Sequence, residues 1–300
     1  MSKQPLAEVF GFPINNIDAG AERFRKNKLC PFYNKVPSCT KNSATNPLGV
    51  CSVFYNHSTI ITCPIRFTEN WLITEDAAKF IFNSKVVEKG MWTTLREVKL
   101  AVKNGKTAGN IDYVLVAYDD KGNIIDFGSL EVQAVYISGN ITKPFDYFME
   151  NRNERNNFDW TAHKLFPRPD FLSSSRKRLV PQLIYKGGIL KGWNKKQCVA
   201  LQRGFYDTLP KLPAAKNPSQ ADFAWFIYDL KLNQSDKKYD LFLDEIIYTE
   251  FQPALDEILT PQSGSITDFI KGLQEKLDEQ LENSSPDAPT LTDLVSEWDE

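Results

Sequence analysis

Four cysteines, Cys30, Cys39, Cys51 and Cys63, fall in the first quarter of this 300-residue chain, separated by eight, eleven and eleven residues, and only Cys198 occurs elsewhere. Four thiolates brought together form a closed tetrahedral site for zinc or iron. The long spacings demand a loop wrapped from Cys30 to Cys63, and the absence of any C-x-x-C pair excludes an ordinary zinc ribbon. Residues 1–75 are rich in Pro, Asn and Cys and show little helical or strand periodicity. Order there is expected to come from something other than a large apolar core, and a metal fits. Four buried free cysteines, packed as small hydrophobes, are the competing reading. His57 is a further candidate ligand, superfluous once four sulfurs complete the shell.

Compartment bears on that choice. No apolar run is long enough to span a bilayer, and the N-terminus lacks the apolar core of a signal peptide. A cytoplasmic protein with no membrane association is expected, and there clustered cysteines read as metal ligands rather than disulfides. The formal net charge of −2 conceals an uneven distribution. Residues 151–203 carry twelve Lys/Arg against three Asp/Glu, whereas residues 264–300 carry ten Asp/Glu against two Lys. A basic stretch is what phosphate contacts need, although a solvated lysine-rich face has the same composition.

From Thr74 the pattern changes. Residues 76–82 read as a helix start with Thr74 or Asp76 as cap, and residues 92–100 read as helical. Residues 111–118 (IDYVLVAY) are β-branched, aromatic and too apolar for an exposed edge, so a strand is predicted. The Asp119–Asn123 stretch has hairpin-turn chemistry, and residues 124–137 follow as a second strand, bulged at Gly128. Residues 193–209 and 221–230 are predicted helical. Around residues 181–185 and 241–249 helix and strand signals mix. Ile266, Phe269, Ile270, Leu273, Leu277 and Leu281 form one helical stripe behind a Ser265/Asp268 cap, and residues 284–300 read as a mobile acidic tail. Three regions are expected: a four-cysteine lobe at 1–75, a core with its DNA-binding region at 76–262, and an amphipathic helix with acidic tail at 263–300. The fold class is α/β, with a mixed α+β sheet flanked by helices.

The hairpin carries the chemistry. Successive strand side chains alternate faces, so Glu131 and Gln133 share one, and Asp112 lies one hairpin away on the partner strand. Two carboxylates there can share Mg²⁺, a hard cation that prefers oxygen ligands, which would polarise a phosphoryl oxygen and activate a bound water. Plain surface charges on a hairpin are the alternative, but a charge in a buried strand is costly unless paired or metal-bound. The arrangement resembles the PD-(D/E)xK nuclease core with two departures: Ile111 precedes the Asp, and Gln133 stands where the lysine is usual. A second metal held with Glu97, or the nearby Lys99, would fill that gap.

A wider resemblance follows from Phe10-Gly11-Phe12-Pro13, Asn27-Lys28-Leu29-Cys30-Pro31-Phe32, Val36-Pro37-Ser38-Cys39-Thr40-Lys41, Asn46-Pro47-Leu48-Gly49-Val50-Cys51-Ser52 and Thr62-Cys63-Pro64-Ile65-Arg66-Phe67. These segments, with Glu97, Asp112 and Glu131-x-Gln133, resemble the NotI family of type II restriction endonucleases over most of the chain to roughly residue 250. The resemblance implies a homodimeric, Mg²⁺-dependent endonuclease of the PD-(D/E)xK superfamily. It implies that the four cysteines hold one metal in a rubredoxin-like site, with iron or zinc as the ion. Asp112 and Glu131 would bind the catalytic Mg²⁺, Glu97 would help with a second, and Gln133 would occupy the usual lysine position, as in the family itself. Double-stranded DNA is the implied substrate, cut in both strands at a specific, palindromic site, with a companion DNA methyltransferase as a possible partner.

Arg176, Lys177, Arg178, Lys186, Lys191, Lys195 and Lys196 are candidate DNA-facing residues, and Gln182 is a candidate adenine reader. A metal-stabilised DNA-binding protein without catalysis would keep the cysteines and the basic stretch but would not need Asp112 and Glu131. A thiol hydrolase built on Cys198 and His163 is a distant further reading, since Cys198 sits among residues expected to be helical and buried.

Overall fold

The computed structural model describes residues 3–33, 38–43, 45–103, 105–260 and 263–282. It comprises two compact units, Met1–Leu259 and Thr260–Glu300.

In the first unit, β1 (Leu6–Val9), β2 (Phe12–Pro13), β3 (Val50–Tyr55) and β4 (Ser58–Ile61) form an antiparallel sheet ordered β2-β1-β3-β4. The first quarter therefore has more regular structure than its composition suggests. Leu6, Val9, Phe10, Val50, Val53 and Ile60 join a single apolar core with Val199, Leu201 and Trp225. The expectation that this segment lacks an apolar core is corrected. The short strands escape notice because Pro and Asn fill the long connections between them.

Six strands make the central sheet: β5 (Trp92–Ala101), β6 (Thr107–Tyr118), β7 (Ile124–Gln133), β10 (Gln197–Gln202), β11 (Phe223–Asn233) and β12 (Lys238–Thr249), in the order β12-β11-β10-β7-β6-β5. A small pair, β8 (Tyr136–Ser138) and β9 (Arg168–Asp170), lies outside it. Strand β10 runs parallel to both β7 and β11, and the outer pairings are antiparallel. This is a mixed α/β fold.

The predicted hairpin forms, with Tyr113 opposite Leu130 and Leu115 opposite Gly128. Its irregularity lies between Ala117 and Tyr118, not at Gly128. Gly128 serves close approach instead: an added Cβ would come within 2.7 Å of Ile81 on the helix Leu72–Ile81. That helix begins before Thr74 and Asp76, so neither caps it. Asp76 is buried and accepts a 3.0 Å hydrogen bond from the Tyr228 hydroxyl.

Three helical expectations are overturned. Residues 92–100 form the edge strand β5, whose exposure alternates residue by residue, the period of a strand with one solvated face. Residues 193–209 contain β10 followed by a short helix, Arg203–Tyr206, and residues 221–230 lie mostly in β11. Strands buried on both faces are continuously apolar and show no alternation to separate them from a buried helix. Of the unsettled stretches, 241–249 belongs to β12 and 181–185 to a helical run.

That run, 173–192, contains two π-helical stretches, Ser173–Leu179 and Leu183–Gly187, on either side of Pro181. Proline lacks the N–H that an α-turn would use, and π-bulges re-aim the side chains around them. Leu179, Leu183, Lys186, Gly187 and Leu190 form its buried face. An added Cβ on Gly187 would meet Gln197 Oε1 and Phe251 at 2.8 Å, so glycine lets the run lie close on the sheet. In the second unit, the predicted helix spans Ile266–Glu282, with the Asp268 N–H donating to Ser265 Oγ at 3.2 Å. The acidic tail beyond it lies outside the described residues.

Candidate active site

Register across three strands gathers the acids. Arg96 pairs with Tyr113 and Val98 with Ile111, so Glu97 stands across from Asp112. Tyr113 pairs with Leu130, so the next position sets Asp112 beside Glu131. Asp112 Oδ2 accepts a 2.9 Å hydrogen bond from the Val132 N–H. Glu131 is buried, Asp112 half-buried and Glu97 exposed. Glu97 takes φ 52°, the left-handed region that non-glycine residues seldom occupy.

The row carries one internal cation. Lys186 Nζ donates to Glu131 Oε1 at 3.0 Å and Oε2 at 2.9 Å, and to Gln182 Oε1 at 3.0 Å. Burial and the neighbouring Asp112 carboxylate push the Glu131 carboxyl up to about 8, against the opposing pull of Lys186. Gln133 is buried and its amide N–H donates to Ala134 O at 2.7 Å. Lys99 is exposed on β5, two residues beyond Glu97.

Beside these residues opens a cleft of about 1200 Å³. Asp112 and Gln133 line it together with Lys177, Arg178 and Gln182 from the helical run and Cys30, Cys39 and Cys63 from the N-terminal region. The site, part of the basic stretch and three cysteines thus face one cavity.

The proposed DNA-facing residues divide. Arg176, Lys177 and Arg178 are exposed, with Arg178 over the Tyr136 ring at 4.6 Å. Lys186 is buried and turned inward to Glu131 in the free protein, and Gln182 is half-buried and bonded to it. Lys191 is held by Asp222 at 2.8 Å and Lys195 by Asp126 at 2.6 Å, while Lys196 donates to Phe80 O at 2.8 Å. Lys186 recurs at helical spacing from Leu179 and Leu183, which is the one sequence signal that places it on the inner face.

The cysteines are free thiols. Burial raises Cys30 to about 11, opposed by backbone N–H donors from Phe32 and Tyr33 and reinforced by Cys63 and Cys39. Burial likewise raises Cys39, beside a backbone donor from Lys41, and Cys51, where Cys63, Glu8 and Cys30 add to it. The four sulfurs are near enough to act on one another. Among the described residues, no three His, Cys, Asp or Glu side chains are gathered tightly enough to hold an ion as they stand. His57 sits exposed in the β3–β4 turn. Cys198 lies on a fully buried strand rather than a helix, its thiol raised by burial, and His163 packs tilted against Trp160, ring centroids 4.6 Å apart, so the two make no thiol–imidazole pair.

On a mixed α/β sheet, Asp112 thus faces a cleft that Lys177 and Arg178 also line, with Glu131 buried beside it. The particular family is given by sequence comparison. The family model described as "Restriction endonuclease NotI" matches residues 8–241, and the chain belongs to that family. It is accordingly a site-specific DNA-cleaving enzyme of the type II kind, and restriction endonucleases typically use Mg²⁺. No curated protein matches the chain. Among the described residues, no helix is long and apolar enough to cross a membrane.

Proposed function

We propose that this chain is a Mg²⁺-dependent restriction endonuclease with a PD-(D/E)xK core, which hydrolyses both strands of duplex DNA. The observation that carries this reading is the adjacency of Asp112, at the wall of the cleft, and Glu131, buried beside it. The donor set fits a hard cation. Burial first, and then the neighbouring Asp112 carboxylate, raise the Glu131 carboxyl, and a divalent ion bound between the two would oppose both effects. Asp112 and Glu131 would hold Mg²⁺, with Glu97 contributing to a second ion. The metal would supply Lewis acidity and a more acidic water. In hydrolysis the attacking water gives up a proton to solvent as its oxygen bonds to phosphorus, one P–O ester bond breaks, and the displaced sugar oxygen takes a proton from solvent. Arg176, Lys177 and Arg178 would position the phosphate backbone.

Cys30, Cys39, Cys51 and Cys63 would hold one structural iron or zinc in the lobe 1–75. Backbone N–H groups directed at Cys30 and Cys39, and the mutual repulsion among the sulfurs, support that assignment. Binding of a cation would stabilise the thiolates and draw the four ligands together. A homodimer follows from the need to cut two strands, and two-fold symmetry makes the target palindromic. Such an enzyme would work in the cytoplasm, and a companion methyltransferase, if one is present, would protect host DNA.

The test is digestion of unmethylated genomic DNA with Mg²⁺ by wild type, Asp112→Ala and Glu131→Ala. Discrete fragments from wild type alone are expected. Tight binding without cleavage by wild type would favour a metal-stabilised DNA-binding protein instead.

A further inference from the structure

We infer that Lys186 is a catalytic residue that supplies, from the helical run, the positive charge missing at Gln133. The proposal rests on the nuclease reading above and deepens it. A transition state for phosphodiester hydrolysis gathers charge on the non-bridging phosphoryl oxygens, and a fixed ammonium beside the acids is suited to receive it. Gln133 is neutral, and its amide is spent on Ala134 O. Lys99 lies on an exposed strand position. Lys186 is the buried ammonium at the acids, within 3.0 Å of both Glu131 oxygens.

The surroundings are shaped around it. The π-helical stretch Leu183–Gly187 contains Lys186 and turns it toward β7, although 55 residues separate it from Glu131. On β6, Gly109 takes φ 104°, which favours glycine, and lies beside the lysine stem, where an added Cβ would sit in ordinary contact with Lys186 Cε at 3.5 Å. Gln182, which lines the cleft, bonds the same ammonium on its other side. The ammonium does not itself line the cleft; it lies one side chain from it, bonded to Gln182, which lines the wall, and to Glu131, whose strand neighbour Asp112 lines it too. A buried ion pair gives little net stability compared with apolar side chains of similar volume, so packing alone is a weak reason for a lysine here. The ammonium forms and breaks no covalent bond in this role. It would pair with Glu131 in the free protein and with a non-bridging phosphate oxygen in the complex.

The experiment compares wild type, Lys186→Met, Gln133→Lys and the double variant Lys186→Met/Gln133→Lys. Single-turnover cleavage in Mg²⁺ is measured beside DNA affinity in Ca²⁺ and thermal melting. Methionine keeps most of the stem and removes the charge. Lys186→Met is expected to cut about a hundredfold more slowly, the scale of losing one electrostatic stabiliser, with affinity within about threefold of wild type. Moving the lysine to the strand should recover at least about tenfold of that loss, which a purely structural role would not allow. Cleavage by Lys186→Met at the wild-type rate overturns the proposal and leaves the nuclease reading intact. A double variant that binds DNA but cuts no faster than Lys186→Met also overturns it, as does failure of both Lys186→Met and the double variant to melt as folded proteins. Wild type that cuts nothing overturns the nuclease reading, and this proposal with it.

Discussion

The backbone N–H of Val132 donates a 2.9 Å hydrogen bond to Asp112 Oδ2, which fixes the Asp112 carboxylate against the strand that carries Glu131. Neither acid can move far without breaking the β6–β7 ladder, so the pair behaves as one unit.

Substituting Asp112→Asn preserves shape while removing one charge. The expected outcome is a loss of Mg²⁺-supported cleavage of at least about a hundredfold, with DNA affinity in Ca²⁺ changed little. Single-turnover rates and filter-binding titrations separate the two, and equal losses in both would place Asp112 in binding instead.

Glu131 makes metal-free stability depend on pH. Its folded carboxyl is raised from 4.5 to about 8, so the folded state holds the proton more tightly than the unfolded chain. The associated stability is fully present below 4.5 and is lost as pH rises through about 8. In chelator, the melting temperature of wild type should therefore fall more steeply over this window than that of Glu131→Gln. Parallel pH profiles would remove Glu131 as the source.

The cysteine assignment predicts one tightly held iron or zinc per chain, read by elemental analysis. Cys39→Ser and Cys63→Ser should each lose metal and melt at lower temperature, because binding energy at a structural site is folding energy. Cys198→Ala should retain the metal, since Cys198 is buried within a different core cluster from Cys39. Full-length, folded protein without metal would leave the four thiols as packing residues.

Salt dependence should distinguish the exposed basic residues from the paired ones. Alanine at Arg176, Lys177 and Arg178 together should reduce the slope of log affinity against log salt by about one unit per lost phosphate contact. Lys191→Ala should change it less, because Asp222 already holds that ammonium at 2.8 Å. Equal effects from both changes would mean that Lys191 leaves Asp222 for DNA.

The buried pair Glu8–Arg66 ties the N-terminal sheet to β12. Arg66 Nε lies 3.1 Å from Glu8 Oε1, and its Nη2 donates to Tyr239 O at 2.6 Å. Arg66→Met strands a buried carboxylate and should cost about 3–5 kcal/mol, measured by denaturant unfolding. Glu8→Gln combined with Arg66→Met should cost less than Arg66→Met alone.

Local chemistry made the hairpin legible. Residues 111–118 are β-branched and aromatic, the Asp119–Asn123 turn is polar, and strand alternation then puts Asp112 and Glu131 within reach. The helix Ile266–Glu282 was legible for the same reason, because its stripe and its Ser265 cap are close in sequence. The strands β10 and β11 were not, since burial on both faces erases the period that would separate them from helices. Strand β5 did carry alternation, and only its pairing with β6 showed that Glu97 stands across from Asp112.

By itself, then, the sequence determined the residue types of the site, the hairpin that joins its acids, the four-cysteine spacing and the family. Tertiary structure alone decided that Lys186, not Lys99, reaches Glu131, and that Lys191, Lys195 and Lys196 are engaged by other groups. The reason is distance along the chain. Short-range patterns report turns, caps and strand faces, whereas a partner 55 residues away is chosen by how a π-bulged helix packs on a sheet.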